Sequence, residues 1–252
     1  ERAKLHMELL EKRRLDDEIE LARKIQKSFL PDVLPSIPGY DISAINLPSL
    51  EVGGDYYDVI PIADGQWGIV IADVFGKGIP ASLVMASFRA SLLAEIRNNY
   101  SISTILSKVN HLIWESVEPE RCVTACYGVL DAGARAFTYA NAGHVYPLVI
   151  GSDGIRRLET GGMLLGVIEH AKYSQERVDI SQGDLAIFYT DGLTEAENRY
   201  GEAFGEGRLL DLAQSIVDLS CADIVKRIHG EIRKFSHGKL VDDFTLIALK
   251  AE

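Results

Sequence analysis

Cysteine is scarce in this chain: Cys122, Cys126 and Cys221 are the only three among 252 residues. They form no zinc-ligand spacing and no even disulfide set, so packing must hold the fold, the thiols read as small buried side chains, and a reducing compartment, the cytoplasm, is expected. Long hydrophobic runs are missing too. The longest apolar stretch, IPASLVMASFRASLLAEI, is broken by Arg89 and by two serines before it, so no membrane-spanning segment is expected. Positive charge is in deficit: the formal net charge is −11 and the isoelectric point is near 5.1. Such a surface repels nucleic acid and anionic lipid but favours divalent cations. The chain also lacks internal repeats and a phosphate-binding loop. Gly76-Lys77-Gly78 has neither the spacing of that loop nor a Ser or Thr after its lysine. The apolar content of 47% suffices for one substantial core. The chain opens at Glu1, and the expectation is a fragment whose upstream region lies out of view.

Residues 1–30 contain no Gly or Pro and carry eight Lys/Arg against seven Asp/Glu, so the acidic excess lies in the remainder. Leu15, Ile19, Ala22, Gln26 and Phe29 recur at spacings of four, three, four and three, a heptad-like stripe interrupted upstream where Lys12 and Glu8 occupy the seam. A helix of about 28 residues follows, and so charged a helix needs a second copy of itself or the body of the protein to pack on. Pro31 should end it, and PDVLPSIPGY marks a boundary between a linker helix (1–30) and a catalytic body (31–252). Strand patterns then appear at 40–46, 55–62 and 66–73, with ADGQ (63–66) as a hairpin turn. Two helices are expected at 79–97 and 102–117. Strands resume at 122–130, 135–140, 145–150, 155–158, 173–180 and 184–190, followed by helices near 207–218 and 221–236 and a last strand at 243–250. Short turns and alternation favour antiparallel sheets. Two sheets packed face to face, with helical pairs outside, would cover every apolar face, an α+β arrangement.

Five aspartates carry the chemistry. Asp55, Asp73, Asp191 and the pair Asp242-Asp243 each sit where an apolar strand-like run meets a turn, in VGGDYYDV, IVIADVFGKG, AIFYTDGLTEA and LVDDFTLIALK. Taken singly, each is a helix cap or a turn former. Taken together, they share one local form, and carboxylates gathered at strand ends repel unless a cation offsets them. Hard oxygen donors of this kind suit Mg²⁺ or Mn²⁺. GGDYY also resembles the signature of diguanylate cyclases, but the nucleotide-binding context of that family is missing around it. His144 in NAGHVYP sits in a turn, where tying backbone is its expected role. Lys77 and Arg89 are cations without an assigned task.

From about residue 20 onward the chain resembles the metal-dependent PPM family of protein phosphatases, most of all its bacterial SpoIIE/RsbU-like branch. The residues that carry the resemblance are ELARKIQKSFLP (20–31), VGGDYYDV (52–59), IADVFGKGIPASLVMA (71–86), NAGHVYPLVI (141–150), LLGV (164–167), GDLAIFYTDGLTEAEN (183–198) and DDFTLIAL (242–249). The resemblance implies an αββα sandwich, a dinuclear Mn²⁺ or Mg²⁺ centre, and hydrolysis of phosphoserine or phosphothreonine on a protein by a metal-activated water. It makes Asp55, Asp191 and Asp242 metal ligands, Asp73 the bridging acid and Val74 a carbonyl ligand, with Asp243 counted as a neighbouring candidate. Relatives that place a histidine two residues after the bridging acid have a general acid there; this chain has Phe75. The implied substrate is a phosphorylated STAS-type anti-sigma-factor antagonist. The helix at 1–30 resembles linkers that join such domains to an upstream sensor, and it is expected to make a homodimer and to bias the helices at 79–117. A catalytically weak fold that serves as a regulated binding switch is the alternative.

Overall fold

The structure is a computed structural model that describes residues 2–99, 101–118 and 121–252. In chain order the elements are α1 (Arg2–Lys27), β1 (Tyr40–Leu47), β2 (Tyr56–Ala63), β3 (Gln66–Val74), α2 (Gly78–Asn98) and α3 (Ile102–Ser116). Then come β4 (Val123–Asp131), β5 (Ala136–Ala142), β6 (Leu148–Gly151), β7 (Gly154–Arg157), β8 (Gly161–Gly162), β9 (Glu176–Asp179) and β10 (Leu185–Tyr189). The one-turn α4 (Asp191–Thr194), α5 (Gly205–Ser215), α6 (Cys221–Phe235) and β11 (Phe244–Ala251) complete the chain.

The strands form two sheets, in the orders β1-β11-β10-β6-β7 and β2-β3-β4-β5-β8, with β9 also paired to β5. Alternating side chains decide the layering. Tyr57, Ile69, Ile71, Phe137 and Tyr139 of one sheet meet Val149, Phe188, Ile247 and Leu249 of the other in a core between the sheets. The opposite faces are covered by helices. Tyr56, Val70, Ala72 and Tyr127 pack against Met85, Phe88 and Leu92 of α2 and Leu106, Val109 and Ile113 of α3. Leu185, Ile187, Leu246 and Ala248 pack against Leu209 of α5 and Ile224, Ile228 and Ile232 of α6. The result is the expected αββα sandwich.

Local chemistry sets the helix starts. Ser101 Oγ accepts from the Thr104 N–H before α3, and Ser220 Oγ accepts from the Asp223 N–H before α6. Although α2 is long and apolar enough to cross a membrane by length and composition, it buries Ala81, Val84, Met85, Phe88, Leu92 and Ile96.

Several expectations needed adjustment. The pairing of β5 with β8 is parallel, contrary to the all-antiparallel reading, and α4 was not foreseen. The strand expected at 173–180 shortens to β9, and the helix expected at 207–218 begins earlier, at Gly205. Asp55 lies just ahead of β2 rather than within it. Of the heptad-like stripe, Ile19, Ala22 and Gln26 in α1 and Phe29 in the turn after it are half-buried, whereas Leu15 stays exposed, as do Met7, Leu9 and Leu10. The cysteines are free thiols, with Cys126 and Cys221 buried.

Candidate metal centre

Asp55 is 4% exposed and enters the interior directly after Gly53-Gly54. Its Oδ2 accepts from Thr190 Oγ1 at 2.8 Å and from Thr245 Oγ1 at 2.5 Å. Its Oδ1 is buried and has no hydrogen-bond partner. A buried carboxylate oxygen left unpaired is costly, and a cation is the partner its chemistry calls for. Burial, then the charge of Asp73, pushes the Asp55 pKa well up, and the two threonine hydroxyls only partly oppose this.

The other acids act on one another. Asp73, at the end of β3, is pushed up to about 7 by burial first, then by the charges of Asp191, Asp242 and Asp243. Asp191, which opens α4, is raised by burial, then by Glu195 and Asp242, with the Gly192 N–H and Lys77 opposing. Lys77 Nζ lies 2.7 Å from Asp242 Oδ2 and also donates to the Val241 carbonyl. Four elements distant in sequence thus bring Asp55, Asp73, Asp191 and Asp242 into one basin. Among the described residues, no three of these acids bring ligand oxygens within 4.8 Å of one another, so the basin is broader than one coordination sphere.

Asp243 has a different task. Its Oδ1 accepts from the Ser49 N–H at 2.7 Å and from Ser49 Oγ at 2.8 Å, while Oδ2 accepts from the Gly54 N–H at 2.6 Å. Both oxygens are therefore engaged in pinning the loop that carries Asp55. Close backbone approach completes the arrangement. A Cβ on Gly54 would lie 2.9 Å from the Val74 carbonyl oxygen, and one on Gly192 would collide with the Asp243 carbonyl oxygen. The Val74 carbonyl consequently sits beside the Asp55 loop.

The end of α1 reaches this loop as well. Gln26 Nε2 donates to the Gly53 carbonyl at 2.6 Å, and the Gly53 N–H donates to Gln26 Oε1 at 3.1 Å. Arg89, a cation to which the sequence assigned no task, donates from Nε to the Phe29 carbonyl at 2.9 Å, with its guanidinium 5.4 Å from the Phe29 ring centroid. Phe75 is 70% exposed and has no proton to give.

His144 is buried. Its Nε2 lies 3.1 Å from the Tyr189 carbonyl and its Nδ1 2.8 Å from Thr124 Oγ1, which places the ring proton on Nε2. Burial lowers its pKa to about 4, so it stays neutral and ties β4 to β10 across the two sheets.

Sequence reasoning passed over Thr190, Thr245 and Ser49, and read Gln26 only as a member of the heptad-like stripe. Both threonines lie inside motifs already singled out, YTDG and DDFT, but which hydroxyl faces an acid depends on the register of β10 and β11.

A family model described as Stage II sporulation protein E (SpoIIE) matches residues 63–252. Phosphoserine phosphatase RsbU of Bacillus subtilis (strain 168) is 30% identical over 238 residues, which cover 94% of this chain and 70% of that protein. The SiaA-PP2C domain of Pseudomonas aeruginosa superimposes with a TM-score of 0.85 at 20% identity, over 96% of this chain and 98% of that one, a likeness of fold. The RsbU and RsbW domains of a Mycobacterium tuberculosis protein superimpose with a TM-score of 0.74 at 30% identity, over 89% of this chain and 63% of that one. This chain belongs to the SpoIIE family, in the RsbU-like branch of the PPM (PP2C-type) protein serine/threonine phosphatases.

Proposed function

We propose that the chain removes phosphate from serine or threonine of a signalling protein, with two Mn²⁺ or Mg²⁺ ions held by Asp55, Asp73, Asp191, Asp242 and the Val74 carbonyl. The observation that carries this reading is the unpartnered, buried Oδ1 of Asp55, in a basin where the charge of Asp73 raises the Asp55 pKa and the charges of Asp191 and Asp242 raise that of Asp73. An all-oxygen donor set suits hard ions. When bound, such ions polarise phosphate oxygens and make water a nucleophile at neutral pH. The chain's own residues prepare the place. Thr190 and Thr245 hold one Asp55 oxygen so that the other is directed into the basin. Asp243, with both oxygens engaged, positions the loop and is not assigned as a ligand here. The thiol nearest the basin, Cys122, has its pKa raised by burial and by Asp73, so it remains protonated and is a poor nucleophile.

RsbU is named a phosphoserine phosphatase, and one structural neighbour joins RsbU and RsbW domains in one protein. These support a phosphorylated signalling protein as substrate; a STAS-type anti-sigma-factor antagonist, met in the cytoplasm, is the finer part of the same reading. The division into a linker helix (1–30) and a catalytic domain (31–252), pairing of α1 with a second copy, and control from an upstream sensor belong to the same reading. Deleting residues 1–28 should change both oligomeric state and turnover; unchanged values for both would remove that part.

Hydrolysis of an aryl phosphate with Mn²⁺, with and without chelator, tests the core. Asp55→Asn and Asp191→Asn should each lower the rate by roughly 100-fold or more, the loss expected when a cation that stabilises transition-state charge is dislodged. Full activity in both variants refutes the proposal. A binding-only module would hold the phosphoprotein and hydrolyse nothing.

A further inference from the structure

We propose that His111, Glu169 and His170 form a second metal site, for a borderline transition ion of the Zn²⁺ type, that clips the segment after β8 onto α3. Among the described residues this is the one group of three ligand-type side chains whose donor atoms lie within 4.8 Å of one another. His111 lies on α3, and the other two lie on the segment between β8 and β9. The two imidazole rings face each other, with centroids 6.1 Å apart and planes 30° apart. His111 Nδ1 is buried and has no hydrogen-bond partner, while its Nε2 lies 3.5 Å from Glu115 Oε1. His170 Nε2 lies 3.5 Å from Glu169 Oε1.

The backbone beneath these side chains is already fixed. Asn110, fully buried beside His111, donates from Nδ2 to the carbonyls of Ile168 at 2.8 Å and Glu169 at 2.9 Å. Its Oδ1 accepts from the Gly166 N–H at 2.9 Å and from the Tyr173 hydroxyl at 3.3 Å. One asparagine therefore sets the height of the segment on α3, and an ion would require only side-chain rotation to close the site. Such preorganised support is what metal-binding side chains need to hold geometry.

The donor chemistry separates this site from the aspartate basin. Two imidazoles and one carboxylate suit Zn²⁺, Co²⁺, Ni²⁺ or Cu²⁺, whereas the all-oxygen basin suits Mg²⁺ or Mn²⁺. Three protein ligands leave a further position for water or an outside group. The clipped segment is also joined to the sandwich: Leu165 and Val123 exchange backbone hydrogen bonds at 2.8 Å and 3.1 Å where β4 begins.

The test uses the full chain without an affinity tag, in millimolar Mg²⁺ so that the hard-ion basin is served. Zn²⁺ is titrated by calorimetry and Co²⁺ by visible absorption. Trp114, whose ring stacks on His111 with centroids 6.4 Å apart, adds a fluorescence readout when Cu²⁺ is the probe. The expected result is one equivalent of Zn²⁺, with the dissociation constant raised at least about tenfold in His111→Ala and in His170→Ala. It should stay within about twofold in Asp55→Asn, since Asp55 is not one of the three clustered ligands. His170 is exposed, so the His170→Ala variant keeps its fold even if His111→Ala does not. Zn²⁺ binding that is absent in the parent chain, that survives His170→Ala unchanged, or that disappears in Asp55→Asn overturns the proposal.

Discussion

Thr190→Val is the sharpest probe of how the aspartate basin is prepared. The substitution keeps side-chain shape and deletes one hydroxyl. That hydroxyl donates to Asp55 Oδ2 at 2.8 Å and accepts the Thr245 N–H at 3.0 Å. The two losses have separate readouts. A divalent ion needs Asp55 as a carboxylate, and a hydrogen bond to a charged acceptor is worth about 1.5–3 kcal/mol against about 1 kcal/mol for a neutral one. Without metal, burial and Asp73 favour the protonated acid, so only the difference bears on metal affinity. A difference of about 1–2 kcal/mol corresponds to roughly 5- to 30-fold weaker Mn²⁺ binding. The orphaned Thr245 N–H burdens both forms, at about 1–3 kcal/mol of stability. A cost of about 2 kcal/mol lowers Tm by about 4–8 °C in a domain of this size. Calorimetric Mn²⁺ titration and thermal unfolding in chelator measure the two effects independently. Thr190→Ser should restore both. A Thr190→Val protein that unfolds early yet binds Mn²⁺ as tightly as its parent would show that Thr190 only packs, and the reasoning would fail.

Three further outcomes are expected. Asp73 has its folded pKa raised from 3.8 to about 7, so its contribution to the stability of the metal-free protein is present at low pH and lost as pH rises through about 7. In chelator this contribution should fall away as pH rises from about 4 to about 7 and level off above; between pH 4 and 6.5 the lowered pKa of His144 works in the opposite direction in parent and variant alike, so the difference in Tm profile between the parent and Asp73→Asn carries the test, and superimposable profiles would contradict the burial of this acid. Gly192→Ala forces a Cβ onto the Asp243 carbonyl oxygen, where backbone cannot yield; a loss of about 2 kcal/mol in denaturant titration, with aryl phosphate hydrolysis lowered, is expected. Gln26→Ala removes both hydrogen bonds to Gly53 and should raise the Mn²⁺ concentration for half-maximal rate about tenfold while largely sparing the rate at saturation; an unchanged metal dependence would disconnect α1 from the site.

What the sequence made legible follows from where its signals are strong. Periodic runs such as QWGIVIAD and the GIPASLVMASFRASLLAEIRN helix announce their own type, and the alternation of strand and helix pairs implies the layers. The acids were legible less from their place at strand ends, which singly marks only a cap or a turn, than from the motifs that resemble the PPM family around them. Their supports were not. Thr245 is 190 positions from Asp55, and a Thr among β-formers reads as an ordinary strand residue until the register of β1, β10 and β11 is known. Likewise β8 consists of Gly161 and Gly162, which carry no side-chain period, and its parallel pairing has no sequence signal. Asp242 and Asp243 look equivalent as text. Only the fold separates them, turning Asp242 toward Lys77 and giving both oxygens of Asp243 to the loop at Ser49 and Gly54.

That loop is where the helical extension and the chemistry meet. Gln26 pairs with Gly53, the next residue gives its N–H to Asp243, and the residue after that is Asp55. On the other side, the Phe29 carbonyl is held by Arg89 of α2, the helix that begins just beyond Asp73 and Val74. The last turn of α1 and the turn that follows it are thus fastened to the loop before one acid and to the helix after another, respectively. A rotation of α1 about its axis carries Gln26 away from Gly53, because side chains on a helix move together around its circumference. The exposed Met7, Leu9, Leu10 and Leu15 upstream offer the surface on which a partner would impose that rotation. The physical content of control from the helix is therefore narrow. A partner's grip on the upstream turns must change the free energy of one amide pair at Gly53, and through it the pose of Asp55, or it does not reach the metal centre by this route.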